Sequence, residues 1–210
     1  MLSRISNRLC GGLWALVLLA AALCAMGNHR AAIAADAAPS GATKAALPLV
    51  IYSDGNGNSG YIPSGWMGDT GNIHYKGHCT TANPPKGTNC IRIKYASGTG
   101  WGGIVWQNPA NNWGDAQGGF DLTGAKTLSF RAKAKHAGLK VTFGFGVIGA
   151  GKTYSDSSKG SRKITLTKKW KKYTIRLKGK DLTRIVTGFF FSAGAPGKPF
   201  TFYLDNIEYK

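Results

Sequence analysis

The chain has 210 residues, of which 43% are hydrophobic, and it carries a formal net charge of +18 at pH 7. This length is sufficient for one domain with a proper apolar core. The positive charge would suit nucleic acid, but the sequence contains neither a recognition helix nor the aromatic strand of RNA-binding modules, so this partner is excluded. Thirty glycines and the absence of a sustained helical period predict an all-β protein.

The start of the chain has the order of a secretory signal. Arg4 and Arg8 precede an apolar run at 13–26, and a small-residue cleavage sequence follows at 32–34. The run is shorter than the ~20 residues of a membrane span, so we expect cleavage, not retention as an anchor, and no stable span afterwards. Residues 1–34 are predicted to be a signal peptide of a protein that is secreted, periplasmic or in the cell envelope.

The remaining chain divides into a linker and one domain. Small residues dominate 35–46, which we predict to be a flexible linker. Residues 47–210 then form a single domain that shows no internal repeat and no second boundary. We expect this domain to be a monomer.

Short runs of alternating apolar and polar residues predict the strands of this domain. In the clearest run, at 90–95, Ile91 and Ile93 would point inward and Arg92 and Lys94 outward. Roughly ten such runs with turn residues between them imply a two-sheet antiparallel β-sandwich. The predicted strands are 47–52, 73–75, 90–95, 104–106, 127–134, 139–147, 163–167, 173–177, 186–192 and 200–209.

The strand at 139–147 has an unusual outward face. Val141, Phe143, Phe145 and Val147 are expected to point into the core, which leaves glycines at 144 and 146 on the outside. Bare glycines on a strand face often mark the close approach of a ligand or of another backbone. We expect these glycines to form the floor of a groove. The strand at 186–192, by contrast, is predicted to be covered on both sides.

Two cysteines lie in the predicted mature domain, Cys79 and Cys90. In an exported protein an isolated pair predicts one disulfide, here closing the turn-rich loop at 80–89. The alternative is a metal site that also uses His74 and His78. It lacks the second Cys-x-x-Cys pair of such sites, so the disulfide is preferred.

The segment at 101–121 concentrates tryptophans, glycines and side-chain amides. A dry core has little use for so many amides, because each buried amide needs its own hydrogen bonds. A sugar-binding surface does use them, since flat rings stack on the C–H faces of a pyranose and amides reach its hydroxyls. The alternative for two of the tryptophans is structural: Trp106 in the core and Trp66 folded over the end of the sandwich. The predicted ligand-binding residues are Trp66, Trp101, Trp106, Trp113, Asn111 and Asn112.

In the motifs given below, the chain resembles exported jelly-roll domains of the galactose-binding-like type, to which many carbohydrate-binding modules belong. The resemblance covers residues 47–210 and is carried by GWMGD at 65–69, WGGIVWQNPANNWG at 101–114, GGFDLTGAKTLSF at 118–130, WKKYTIRL at 170–177 and FTFYLDNIEY at 200–209. It implies a jelly-roll sandwich and non-catalytic binding of a polysaccharide or cell-surface glycan.

Relatives of this type often hold a structural calcium between the first and last strands. By that resemblance Asp205 is the first candidate ligand and Asp54 the second, with a hydrogen-bonding role in a turn as the alternative for Asp205. The sequence around Asp54 begins like a calcium loop. It then departs from the pattern, because Ser59 replaces the glycine and Gly65 replaces the bidentate glutamate.

Two other functions remain open at this stage. A jelly-roll polysaccharide lyase would suit a basic protein, and Asn72-Ile73-His74 faintly resembles an element of alginate lyases, although their companion tyrosine motif is missing. A structural or adhesive envelope protein is the second alternative. A classical glycosidase pair is not evident, since Glu208 is the one glutamate of the chain. Basic residues around Trp170 are compatible with an anionic polymer or with a solvated face.

Overall fold

The computed structural model describes residues 41–57, 59–96, 100–194 and 198–210. The predicted signal peptide and the first part of the predicted linker lie outside these ranges. Across the described ranges, no helix has the length and apolarity needed to cross a bilayer.

Thirteen strands and a single 3-10 turn at Thr70–Asn72 make up the regular structure of the described residues. The strands are β1 (Thr43–Lys44), β2 (Leu49–Tyr52), β3 (Ile62–Gly68), β4 (Ile73–Cys79), β5 (Cys90–Tyr95), β6 (Trp101–Gln107), β7 (Phe120–Asp121), β8 (Thr127–Ala134), β9 (Lys140–Phe145), β10 (Gly160–Thr165), β11 (Lys171–Arg176), β12 (Thr187–Gly194) and β13 (Phe200–Tyr209).

Two antiparallel sheets pack face to face, which confirms the predicted all-β sandwich. The five-stranded sheet has the order β10-β9-β12-β6-β3. The six-stranded sheet has the order β11-β8-β13-β5-β4, with β2 also paired to β13. The strands predicted at 90–95, 127–134 and 200–209 have the predicted bounds. Strand β3 was not predicted, because its Pro63 and its glycines interrupt the expected alternation.

Aromatic side chains from both sheets form the core. Phe130 of the six-stranded sheet lies 4.7 Å from Phe143 of the five-stranded sheet, and Phe191 lies 5.0 Å from Phe202, measured between ring centroids. Such ring pairs add to the stabilisation that burial itself provides. Val147, predicted to point inward, is instead exposed, because β9 ends at Phe145 and the chain turns away from the core.

The end of the predicted linker is attached to the domain. Thr43 and Lys44 pair in parallel with Phe120 and Asp121. The Lys44 ammonium lies 3.2 Å from a carboxylate oxygen of Asp121 and donates to the carbonyl of Thr123 at 2.8 Å. Residues 43–44 are therefore ordered by backbone pairing, which their small-residue context did not predict.

Candidate functional site

The outer face of the five-stranded sheet carries one continuous row of residues across all five strands. The strand register places Gly65, Val105, Phe190, Gly144 and Ser161 opposite one another, from β3 to β10. The neighbouring residues Ile104, Phe143 and Phe191 are in the core. Since successive side chains of a strand point to opposite faces, this row faces outward.

Two aromatic rings lie on the glycines of this row. A Cβ atom at Gly65 would lie 3.0 Å from Cζ2 of Trp113, and one at Gly144 would lie 2.6 Å from Cε1 of Phe190. The separation at Gly144 is shorter than a real Cβ atom allows and the one at Gly65 is tighter than most, so glycine lets both rings lie close against the sheet. Both rings are half-buried, which leaves part of each ring open to solvent.

A third ring, at the first residue of β6, extends this surface. Trp101 pairs with Gly194, lies on the same side of the sheet as Val105, and is 48% exposed. We call the outer surface formed by Trp101, Trp113, Phe190 and the row of residues from Gly65 to Ser161 the aromatic face.

A network of hydrogen bonds holds the Trp113 loop against the sheet. Gln107 is fully buried, accepts a hydrogen bond from the Ser64 hydroxyl at 2.9 Å and donates to the carbonyl of Asn112 at 2.8 Å. The Ser64 hydroxyl in turn accepts from the backbone N–H of Asn111 at 2.9 Å. Trp113 is thus positioned by its own loop before any ligand arrives, which lowers the ordering cost of binding.

A cleft of about 510 Å³ lies beside Phe190. Its lining includes Gly146, Lys159, Ser161 and Lys180. The prediction that the glycines at 144 and 146 floor a groove is consistent with this cleft, because one lies under the Phe190 ring and the other in the cleft wall. Hydroxyl and ammonium groups at its rim can donate to the hydroxyl oxygens of a sugar.

One half-buried carboxylate fastens the loop that borders the cleft. Asp156 accepts hydrogen bonds from the backbone N–H groups of Ile148, Val186 and Thr187 at 2.9, 2.6 and 3.0 Å, and from the Thr187 hydroxyl at 2.5 Å. Burial raises the pKa of Asp156, and these hydrogen bonds oppose the rise. Asp156 therefore ties the 146–159 loop to the start of β12, the strand that carries Phe190.

Two residues predicted to contact ligand are not available to do so. Trp106 is 1% exposed and packs edge-on against Phe189 at 5.3 Å, because its place in β6 points it into the core. Asn112 is 4% exposed, and its amide is used within its own loop by Gly114 and Ala116. Both predictions of ligand contact are corrected by this burial.

Of the other predicted residues, Trp101 and Trp113 lie on the aromatic face and Trp66 does not. Trp66 is 41% exposed but lies opposite Ile104, on the core-facing side of edge strand β3, so it does not share the aromatic face. Asn111 is exposed beside Trp113. Phe190 was missed, because the run Phe189-Phe190-Phe191 gave no sign that its middle ring faces outward while its neighbours are in the core.

The predicted metal residues lie next to each other. Asp205 is fully buried and accepts hydrogen bonds from the backbone N–H groups of Asn206 at 2.8 Å and of Asp54 at 3.4 Å. Burial raises the pKa of Asp205. The Asp54 carboxylate instead accepts from the N–H groups of Thr88 and Asn89, both at 2.7 Å, and these bonds lower the pKa of Asp54.

The two cysteines are directly opposite each other on β4 and β5, and both thiols are free in the structure. The Cys90 thiol donates to the carbonyl of Cys79 at 3.0 Å. Both lie under Trp170, whose indole N–H donates to the carbonyls of Ala82 and Asn83.

The comparisons with known proteins agree with this fold. The model of the family described as carbohydrate binding domain 30 matches residues 48–210. The fold is similar to a crystal structure of a family 30 carbohydrate-binding module, with a TM-score of 0.56 and 19% identity over 78% of this chain and 87% of that one. It is also similar to the family 30 module of a cellulosomal cellulase of Clostridium thermocellum, with a TM-score of 0.51 and 19% identity over 79% and 98% of the two chains. A search of curated proteins found no match.

Proposed function

Because the chain belongs to the carbohydrate binding domain 30 family, we propose that it binds a linear polysaccharide along the aromatic face. Carbohydrate binding itself follows from the family and needs no catalytic group. The location of the site and the nature of the glycan are our proposal. The observation that carries it is the placement of the Trp113 and Phe190 rings on the glycines of one outward row.

The ligand that fits this surface is an extended, neutral glucan. Two rings along one row of the sheet, one over β3 and one on β12, offer successive stacking positions to a chain, whereas a single small sugar would use one of them. The similar module from a cellulosomal cellulase supports a β-linked glucan as the first ligand to test.

Affinity electrophoresis in gels that contain hydroxyethyl cellulose tests this proposal. We expect the protein to be retarded by this polymer and not by starch, because a helical α-glucan does not present an extended chain to a sheet face. Equal mobility in the presence and absence of hydroxyethyl cellulose would contradict the choice of glucan.

We further propose that calcium binds at Asp205. Within the described residues no group of three His, Cys, Asp or Glu side chains converges, so amide and peptide oxygens would have to complete the site. The side-chain NH2 group of Asn206 donates to the two Asp205 oxygens at 2.8 and 2.9 Å, so this amide would have to turn over to offer its oxygen to the cation. Asp54 fits a structural role better, because its carboxylate already holds the backbone of residues 88 and 89.

Calcium is expected to raise the melting temperature of the wild type and to leave Asp205→Asn unaffected, because a bound cation offsets the cost of the buried carboxylate. Thermal melts with added calcium and with a chelator measure this. An equal calcium response in the two proteins would place the ion elsewhere.

We also propose that Cys79 and Cys90 form a disulfide in the exported protein. Residues directly opposite in antiparallel strands have Cα atoms about 4.5–5.5 Å apart, a separation that a disulfide accepts. Closing this short loop should stabilise the fold by about 3 kcal/mol in the chain-entropy model.

Reducing agent is therefore expected to lower the melting temperature of the wild type and not that of the Cys79→Ser, Cys90→Ser double variant. Thiol titration of the unfolded protein provides the matched readout. Two titratable thiols in protein isolated from the cell exterior would argue against the disulfide.

A further inference from the structure

We propose that the opposite surface of the sandwich, the outer face of the six-stranded sheet, is a second binding site, for a linear polysaccharide that carries carboxylates. This site is separate from the aromatic face, and its argument does not depend on the neutral glucan proposed there.

Basic side chains cross the six-stranded sheet in two parallel rows. In the first row the register places Lys133, Tyr203, Arg92 and Lys76 opposite one another on β8, β13, β5 and β4. In the second row Lys94 and His74 lie beside Thr201. Lys135 completes that row, because its N–H bonds to the carbonyl of Thr201.

We call the surface of these six basic residues the basic face. Its members alternate with buried residues such as Ile91, Ile93 and Phe202, so all of them point away from the core. Neighbouring strands are about 4.8 Å apart, and successive outward positions of one strand are about 6.8 Å apart. The face is therefore a regular grid of cations and not a scatter of surface lysines.

Among the described residues, these charges form no ion pair. In the part of the chain that is described, the salt bridges involve Lys44, Lys152 and Lys210, and no residue of the basic face. Lys76 is directly opposite Arg92. Like charges at opposed positions of a sheet destabilise the fold, so an external anion would relieve a repulsion that is built into the register.

Aromatic residues next to the grid hold Lys133 in place. Its ammonium lies 5.5 Å from the ring centroid of Trp170 and 5.4 Å from that of Tyr203. Both rings are half-buried against the loop that links β4 to β5. The cation at the β8 end of the first row is thus positioned in advance, as a binding site requires.

The occupant we infer is a carboxylated polysaccharide, for two reasons. A membrane surface would need apolar side chains to insert, and the exposed large hydrophobic residues of the described chain lie outside the basic face. Single-stranded nucleic acid would need uncovered rings for base stacking, and the faces of Tyr203 and Trp170 are engaged by Lys133. A linear polysaccharide with a charge on each sugar can bind a flat grid of basic side chains. It needs neither apolar side chains for insertion nor uncovered rings for stacking.

The experiment measures equilibrium binding to polygalacturonate at low and at physiological ionic strength. The test variant carries Lys76→Gln, Arg92→Gln and Lys94→Gln. The control carries Lys126→Gln, Lys140→Gln and Lys178→Gln, which remove the same charge from exposed lysines elsewhere. We expect the Kd of the test variant to rise at least about tenfold and its salt dependence to flatten, because fewer counterions are released, while the control stays within about twofold.

Several results would overturn the proposal. An equal loss in the two triple variants would show that only net charge matters, and absent binding by the wild type would remove the site. Tighter binding of duplex DNA or of phosphatidylglycerol vesicles, with the same dependence on the three residues, would assign the face to that class instead. Trp113→Ala should leave polygalacturonate binding unchanged, which separates this site from the aromatic face. Thermal melts of all variants confirm that they are folded.

Discussion

Replacing Trp113 with alanine is expected to raise the Kd for hydroxyethyl cellulose about tenfold, and adding Phe190→Ala about tenfold more. Each ring would contribute roughly 1–1.5 kcal/mol of stacking, and 1.4 kcal/mol corresponds to a factor of ten. The rings lie on Gly65 and Gly144 in one row of the sheet, so a glucan chain can contact both at once. Isothermal titration of the single and double variants measures the two steps.

Trp66→Ala is the matched control for this experiment. Trp66 is as accessible as a stacking residue should be, at 41% exposure, but it lies on the core-facing side of β3. We expect its loss to change the Kd less than about twofold, as for the substitution of a residue that lies outside the contact area. Phe190→Leu keeps the apolar volume without the flat ring, so it should bind nearly as weakly as Phe190→Ala. A larger loss for Trp66→Ala than for Trp113→Ala would move the site to the edge of the sandwich.

The second large effect is expected at Asp156. Alanine at this position would leave the N–H groups of Ile148, Val186 and Thr187 and one hydroxyl without their acceptor. We expect the free energy of unfolding to fall by about 3 kcal/mol and the melting temperature by roughly 6–12 °C. Denaturant unfolding and thermal melts measure this loss, and glucan binding should weaken as well, because Asp156 secures the strand of Phe190.

Asp156→Asn provides the comparison, since it keeps one acceptor oxygen and should lose less than Asp156→Ala. The pKa of native Asp156 is raised by burial above the ordinary value of about 3.9 that applies in the unfolded chain. The native state therefore binds more protons between these two values, and the contribution of Asp156 to stability grows as the pH falls through that interval. The deficit of Asp156→Ala should widen towards pH 4; a deficit that disappears there would contradict the assignment.

The sequence contained most of the information about the sandwich. Alternation such as Ile91-Arg92-Ile93-Lys94 decides which residues are buried, because one face of each strand must pack on the other sheet. The strand at 62–68 escaped prediction because it is an edge strand with a register shift after Pro63. Edge strands need less apolar alternation, so their pattern is weak.

The candidate site was less predictable, because it depends on pairing between distant strands. Trp106 lies in a predicted strand and Trp113 does not, but the structure is needed to show that Trp113 lies over an outward glycine while Trp106 is in the core. Phe190 belongs to the site only because its register places it beside Gly144 of β9. The two predicted asparagines also differ, since the side-chain amide of Asn112 forms hydrogen bonds within the turn that carries Trp113 and is not free to contact a ligand.

Backbone amide NMR of the isotopically labelled protein tests the central claim most directly, during titration with a soluble cello-oligosaccharide. The account predicts that the shifted signals trace the outward row on the five-stranded sheet, at Gly65, Val105, Phe190 and Gly144, together with the indole N–H of Trp113. Shifts that fall instead on the edge around Trp66 or on the six-stranded sheet, with the outward row unchanged, would contradict it.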